Sequence, residues 1–262
     1  MKLNCDNYYS SRMNKEYMSV SQYKDFLKCE KSAMAKINGD YVEEKTTALL
    51  VGSYVDAYVE GTLDKFKEEN PEIFNSRTGE LKSDYKGANK MIKKFTNDEF
   101  FMSFLQGEKQ KIFTAEFFNC KWKSKIDILS DDKIVDFKTT KNFERVYGVS
   151  FIEHWGYDKQ LAIYQELVRL STGKRLPVYI AAITKEKDPD LAIINIPQIR
   201  LNECLEEIEK DMIRINAVKN GEIKPYDCGV CNYCKKTKKL DKVIDYTMVG
   251  FDNNYIKEME LV

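Results

Sequence analysis

The sequence predicts an α/β fold, a mixed sheet flanked by helices with a cysteine-rich segment late in the chain, and three observations carry that prediction. Five stretches, KIFTAEFF, WKSKIDIL, KIVDFKTT, LPVYIAAITKE and LAIINIP, have the alternating or continuous apolar pattern of strands. Segments of helical period precede, separate and follow them. Cys228, Cys231 and Cys234 form a C-x2-C-x2-C run. The 262 residues suffice for one large domain or two small ones, with enough apolar content for a substantial core. We read a single domain, 1–262. It comprises N-terminal helices (19–61), a helical excursion (62–110), the core (111–220) and the cysteine-rich segment (225–240).

Ser19 followed by Gln22 has the spacing of a capping box and predicts a helix over about 21–37. TTALLVGSYVDAYVEG continues with helical period, and Gly52, Asp56 and Glu60 fall on one stripe of it. The rest of that helix is apolar or aromatic, which leaves little room for solvated acids. Asp56 is therefore a candidate functional residue, and Glu60 a weaker one. Residues 62–110, rich in lysine and glutamate and containing Pro71, suggest a solvated accessory region outside the sheet. FIEHWGYDKQLAIYQELVRL predicts an amphipathic helix of about 18 residues, with Gln160 and Tyr164 four apart on one face. KDPD joins the last two strands, and Gly221 stops the helix that begins near Leu201. No internal repeat or low-complexity tract is present.

The chemistry concentrates in the central hairpin. In IVDFKTTK, Asp136 and Lys138 share one strand face while Val135 and Phe137 take the other. If Ser130–Lys133 closes the turn symmetrically, Leu129 pairs with Ile134 and Asp127 stands opposite Asp136. Like charges so opposed are destabilising, and a cation between them removes the repulsion. Two aspartates suit magnesium or manganese, and a neighbouring lysine can position a water and offset phosphate charge. A simple surface Asp–Lys pair is the alternative. Glu116, on the preceding strand, is a further candidate acid. His154, the only histidine, lies at a helix start and reads as a packing residue.

With 42 basic and 42 acidic residues the net charge is zero, so nothing indicates a globally basic nucleic-acid binder. Contact with nucleic acid would fall to local lysines and metal-bound phosphates. The polar N-terminal stretch has no signal-peptide pattern, and no apolar run approaches a membrane span, so a cytoplasmic protein is expected. Seven cysteines in a reducing compartment point to metal ligands or core residues.

The acid in a G-x-x-x-D setting, the hairpin bearing Asp127 and then D-x-K-T, and the Q-x-x-x-Y helix resemble the PD-(D/E)xK (restriction-endonuclease-like) nuclease superfamily. The similarity is greatest to its RecB-like branch of phage recombination exonucleases of the exonuclease VIII type, and it runs from about Ser19 to Lys239. It implies metal ligation by Asp127 and Asp136, a lysine serving the attacking water at Lys138, and DNA contact near the site by Gln160 and Tyr164. Many relatives carry His where this chain has Asp56, an aspartate that can still ligate a hard cation. The implied activity is Mg2+- or Mn2+-dependent digestion of linear duplex DNA from the 5′ end, exposing 3′ strands for a single-strand annealing partner. A homo-oligomer that encloses the duplex goes with it. The alternatives are a structure-specific or RNA-directed endonuclease, which would share every catalytic residue, and a non-catalytic DNA-binding or assembly protein.

Three close thiols need a fourth ligand. A ferredoxin-type run borrows its fourth cysteine from elsewhere, whereas structural zinc more often uses two separated pairs. RecB-like nucleases with iron–sulfur clusters are similar in pairing one cysteine near the N-terminal helix with three beyond the core. The resemblance thus implies Cys29 as the partner and a [4Fe–4S] cluster, with Zn2+ as the alternative. Cys204 reads as core, and Cys5 and Cys120 have no partner by spacing. Lys235, Lys236, Lys238, Lys239 and Lys242 form either a solvated tail or a phosphate-contacting patch.

Overall fold

The structure, a computed structural model, describes residues 3–240 and 243–252. Along the chain run α1 (Ser11–Glu16), α2 (Val20–Lys28), α3 (Glu30–Asn38), α4 (Thr47–Glu60), α5 (Leu63–Glu69), α6 (Ser83–Thr96) and α7 (Glu99–Phe104). Then come β1 (Glu108–Phe117), β2 (Cys120–Leu129), β3 (Ile134–Thr140), α8 (Phe151–His154) and α9 (Tyr157–Thr172). The series closes with β4 (Val178–Thr184), β5 (Leu191–Asn195), α10 (Gln198–Lys219) and α11 (Asn232–Thr237). The chain divides into two compact units, one of Met1–Glu43, Glu116–Lys123 and Glu207–Val262, the other of Glu44–Ala115 and Ser124–Glu206.

The strands form one mixed sheet in the order β1-β2-β3-β4-β5. β2 and β3 are antiparallel with Leu129 opposite Ile134, β3 and β4 are parallel, and β4 and β5 are antiparallel. A parallel pair needs a crossover connection, which α8 and α9 supply between β3 and β4. In the second unit Val135 and Phe137 of β3 pack with Ile128, Ala181 and Ile183 against Tyr54, Tyr85, Phe95 and Phe101 from the preceding helices. Phe95 and Phe101 meet the Phe137 ring edge-on, at 5.7 and 6.4 Å between centroids. The opposite face of β3 carries Asp136, which meets α9.

Residues 62–110 are therefore not a solvated accessory. Lys86, Lys90, Lys93 and Lys94 of α6 are exposed, while Tyr85, Ala88, Met91, Ile92 and Phe95 form its buried stripe. That stripe was hidden in a composition count because the charged residues outnumber it.

In the first unit, β1 turns into β2 through Phe118 and Asn119, with φ of 53° and 54°, the left-handed pair a two-residue hairpin needs. Trp122 stacks on Phe117 at 5.1 Å, and its neighbour Lys123 is fully buried. The Lys123 ammonium donates to the Tyr8 carbonyl and to Asn14 Oδ1, which fastens the start of the chain to β2.

Two predicted helices are broken. The one expected over 21–37 stops at Cys29, which is extended (φ −168°, ψ 108°) and serves as the end of α2 and the start of α3. The one beginning at Phe151 is interrupted at Gly156, whose φ of 61° separates α8 from α9. Neither break has a proline to announce it. Among the described residues no helix is long and apolar enough to cross a membrane.

Candidate functional site

The β2–β3 ladder runs through Leu129–Ile134 and Ile128–Val135. The next pair in that register is Asp127 with Asp136. In a regular continuation the Phe137 amide would then bond across to the Ile126 carbonyl. Instead it donates to Asp127 Oδ2 at 3.1 Å, so the carboxylate turns inward and takes the place of a strand partner. Its other oxygen, Oδ1, accepts from Gln110 Nε2 at 3.3 Å, and Gln110 itself holds a left-handed φ of 55°. Non-glycine residues carry that conformation at a cost, commonly at functional sites.

Asp136 is completely buried. Its Oδ1 accepts from Gln160 Nε2 at 2.8 Å, and the same Nε2 lies 3.2 Å from the Tyr164 hydroxyl. Asp136 Oδ2 faces Lys138 Nζ at 2.7 Å in a buried ion pair, the partner the structure gives that oxygen among the described residues. Lys138 Nζ also lies 3.9 Å from Asp127 Oδ2, donates to the Phe137 carbonyl, and sits 5.4 Å from the centre of the Tyr157 ring. One ammonium thus bridges two carboxylates. Burial works against the Lys138 charge, but Asp136 and Asp127 outweigh it and hold the group protonated far above the ordinary lysine range.

Asp56 projects from the middle of α4. Burial pushes its pKa up to about 7, with Glu60 and Asp136 adding to the rise and Lys138 and Lys185 opposing it. Burial likewise raises Asp127 well above the carboxylate range, with Asp136 as the next cause. The sequence reason for α4's approach is Gly52, where an added Cβ would stand 3.1 Å from Thr139 Oγ1 on β3 and 3.8 Å from Lys185 Nζ. The first residue of G-x-x-x-D thus admits the strand, and the last carries the acid.

Of the other candidates, Glu60 is half-buried, with its pKa raised by burial and opposed by Lys125. Glu116 is exposed on β1, and its charge bears on Cys120, whereas Asp127 feels Asp136, Lys138 and Asp56. His154 is exposed and packs edge-on against Trp155. Gln160 and Tyr164 are buried, Gln160 bonding Asp136 and Tyr164 meeting Gln160. The sequence reading missed Gln110, Tyr157 and Lys185. Lys185 follows β4, hydrogen-bonds the Ala48 carbonyl at 2.8 Å, and lines a cavity of about 400 Å³ with Lys90, Lys187 and Ser83.

The donor chemistry fits a divalent hard cation: the candidate ligands are all carboxylate oxygens, Asp136 is fully buried, and the acids raise one another's pKa, a repulsion a cation would relieve. The aspartate oxygens are not gathered as tightly as the thiolates. Among the described residues, the group of three or more ligand atoms lying within 4.8 Å of one another is Cys29, Cys228, Cys231 and Cys234. Cys204 is buried on α10, Cys5 is exposed and Cys120 half-buried. Lys235, Lys236, Lys238 and Lys239 are exposed, and Lys242 lies outside the described residues.

A mixed sheet with an aspartate and a D-x-K motif on adjacent antiparallel strands defines a fold of the PD-(D/E)xK nuclease superfamily. Residues 19–237 match the family described as a PDDEXK-like domain of unknown function (DUF3799), and the chain belongs to that family. It is also similar to a protein of Eubacterium rectale named as a "putative exonuclease", whose crystal structure was determined at 2.19 Å. The two share 45% sequence identity and superpose with a TM-score of 0.91, over 95% of this chain and 98% of the other. No curated protein sequence matches.

Proposed function

We propose that this protein is a divalent-metal-dependent deoxyribonuclease that digests linear duplex DNA from its ends, starting at the 5′ side. The carrying observation is the single ammonium of Lys138 held between Asp127 and Asp136, 3.9 and 2.7 Å from their oxygens. A resting ion pair needs one acid; two buried or half-buried acids whose charges oppose one another suit ligation of a cation. Asp136 and Asp127, assisted by Asp56, would hold Mg2+ or Mn2+. When bound, the ion would supply a Lewis acid for a phosphate oxygen and an acidified water. Lys138 keeps its proton and orients a water through Nζ while countering charge on the phosphate. Gln160 fixes the free rotation of Asp136 and leaves its Oδ2 to the ion, and Tyr164 backs Gln160.

DNA as substrate follows from the nuclease fold. Lys90, Lys185 and Lys187 around the cavity supply local positive charge that the neutral chain lacks overall. End-dependence is supported by the name of the Eubacterium rectale relative and by the resemblance to recombination exonucleases. The 5′ polarity, a ring-forming homo-oligomer and a strand-annealing partner rest on that resemblance alone. Incubating end-labelled linear duplex and the same molecule as a covalently closed circle, with Mn2+ or with chelator, tests the reading. Metal-dependent loss of the linear form from its 5′ ends is expected. Equal degradation of both forms would instead establish an endonuclease, and no cleavage of either a binding protein.

A further inference from the structure

The four cysteines of the first unit invite a comparison of two metal centres by size alone. Cys29 Sγ lies 3.5 Å from Cys234 Sγ, Cys228 Sγ lies 3.9 Å from Cys234 Sγ, and all four sulfurs lie within 4.8 Å of one another. A single zinc ion with arms of about 2.3 Å sets its thiolates on a tetrahedron whose edges are about 3.8 Å. A cuboidal cluster gives each thiolate its own iron, so every edge grows by one iron–iron separation, comparable to such an arm, to about 6 Å. The observed separations match the first figure and fall short of the second. The residues therefore do not fit the [4Fe–4S] cluster that the family resemblance implied.

We infer that Cys29, Cys228, Cys231 and Cys234 form a closed, structural site for one tetrahedral Zn2+ ion. Two further features support a metal site built into the fold, while the sulfur separations decide its size. The amide of Cys231 donates to Cys228 Sγ at 3.3 Å, and that of Cys234 donates to Cys231 Sγ at 3.4 Å, so each turn of the run folds its chain around the preceding sulfur. Such N–H bonds stabilise thiolates sharing a dication. The segment is also docked independently of any metal. Glu30, next to Cys29, receives a two-pronged bond from Arg214 at 2.6 and 2.9 Å and accepts from the Tyr226 amide at 2.7 Å. Lys31 pairs with Asp227 at 2.6 Å. The extended backbone of Cys29 is then explained: a continuous helix would carry its thiol along the helical stripe, and the break instead delivers it to the other three. Four protein thiolates leave no open position, so the ion holds structure and performs no chemistry on a substrate.

The test is metal content, which is independent of nuclease activity. The intact chain is produced in medium supplemented with both iron and zinc, purified without oxygen, and assayed for both metals, for acid-labile sulfide and for visible absorbance. One zinc per chain, no labile sulfide and a colourless protein are expected. Mercurial titration of the thiols should release that zinc stoichiometrically, and Co2+ exchanged into the site should give the intense visible bands of tetrahedral thiolate coordination. Cys29→Ser should lower zinc content at least tenfold. Cys231→His, which keeps a ligand that zinc accepts, should retain most of the metal, so loss in the first variant is not ascribed to misfolding alone. A brown protein with several irons and matching sulfide per chain would overturn the inference. So would a chain that binds neither metal after reconstitution with Zn2+.

Discussion

Gln160 Nε2 donates to Asp136 Oδ1 at 2.8 Å, and this bond couples α9 to the middle of the sheet at a fully buried carboxylate. It leaves Asp136 Oδ2 as the oxygen that faces Lys138. Loss of such an outer partner costs about 10- to 100-fold in metal affinity or activity. Gln160→Leu should therefore lower Mn2+-dependent DNA cleavage by about that factor, with a higher Mn2+ concentration for half-maximal rate. Gln160→Glu should be worse, because it adds a third acid beside Asp136. Metal titrations of the cleavage rate distinguish these from a general loss of fold.

Asp136→Asn keeps the shape of the side chain and removes its charge. Cleavage should fall by a factor on the order of 10²–10³. Thermal unfolding of the metal-free protein should not drop, since the change removes repulsion with Asp127 while Lys138 retains one carboxylate neighbour. A variant that cleaved DNA at the parent rate would take Asp136 out of the mechanism.

Asp56 makes metal binding depend on pH. Its native pKa, about 7 against an ordinary 3.8, means that the folded protein holds this proton more tightly than the unfolded chain does. Its contribution to the stability of the metal-free protein is therefore lost as pH rises from about 4 to about 7. A divalent ion must displace the proton below about pH 7 and meets a carboxylate above it. The rise in Tm produced by Mn2+ should thus be greater at pH 8 than at pH 6, and Asp56→Asn should flatten the difference.

Gly52 and Thr139 are predicted to be energetically coupled. With a Cβ 3.1 Å from Thr139 Oγ1, Gly52→Ala should cost about 1–2 kcal/mol by overpacking. In a Thr139→Ala background the obstruction is gone, and the same change should instead stabilise α4 by about 0.5–1 kcal/mol, the ordinary advantage of alanine over glycine in a helix. Denaturant titrations of the four proteins in the cycle measure the difference, and additive effects would show that the two residues do not meet.

The hairpin was legible because its register follows from a symmetric turn and a period of two: Leu129 does stand opposite Ile134. The inward rotation of Asp127 onto the Phe137 amide was not, since nothing in WKSKIDIL says that the ladder gives way there. Asp56 could be suspected because an acid on an apolar helix is conspicuous. Lys185 is an ordinary lysine at a strand end, and only its approach to Ala48 and the electrostatic influence of Asp56 give it a role. The spacing of Cys228, Cys231 and Cys234 signalled a metal centre, but ligand spacing along a chain cannot distinguish one ion from a cluster. Distances between sulfurs can.

The division of the chain sets an order of events during synthesis. Glu44–Ala115 and Ser124–Glu206 make up the second unit, so every residue of the aspartate site is translated before the later cysteines. The first unit waits: Cys29 meets its three partners about 200 residues downstream, after Cys234 has been added. The unit whose N-terminal helices are made first is the last to be completed, and Cys29 must remain reduced and uncommitted throughout that interval.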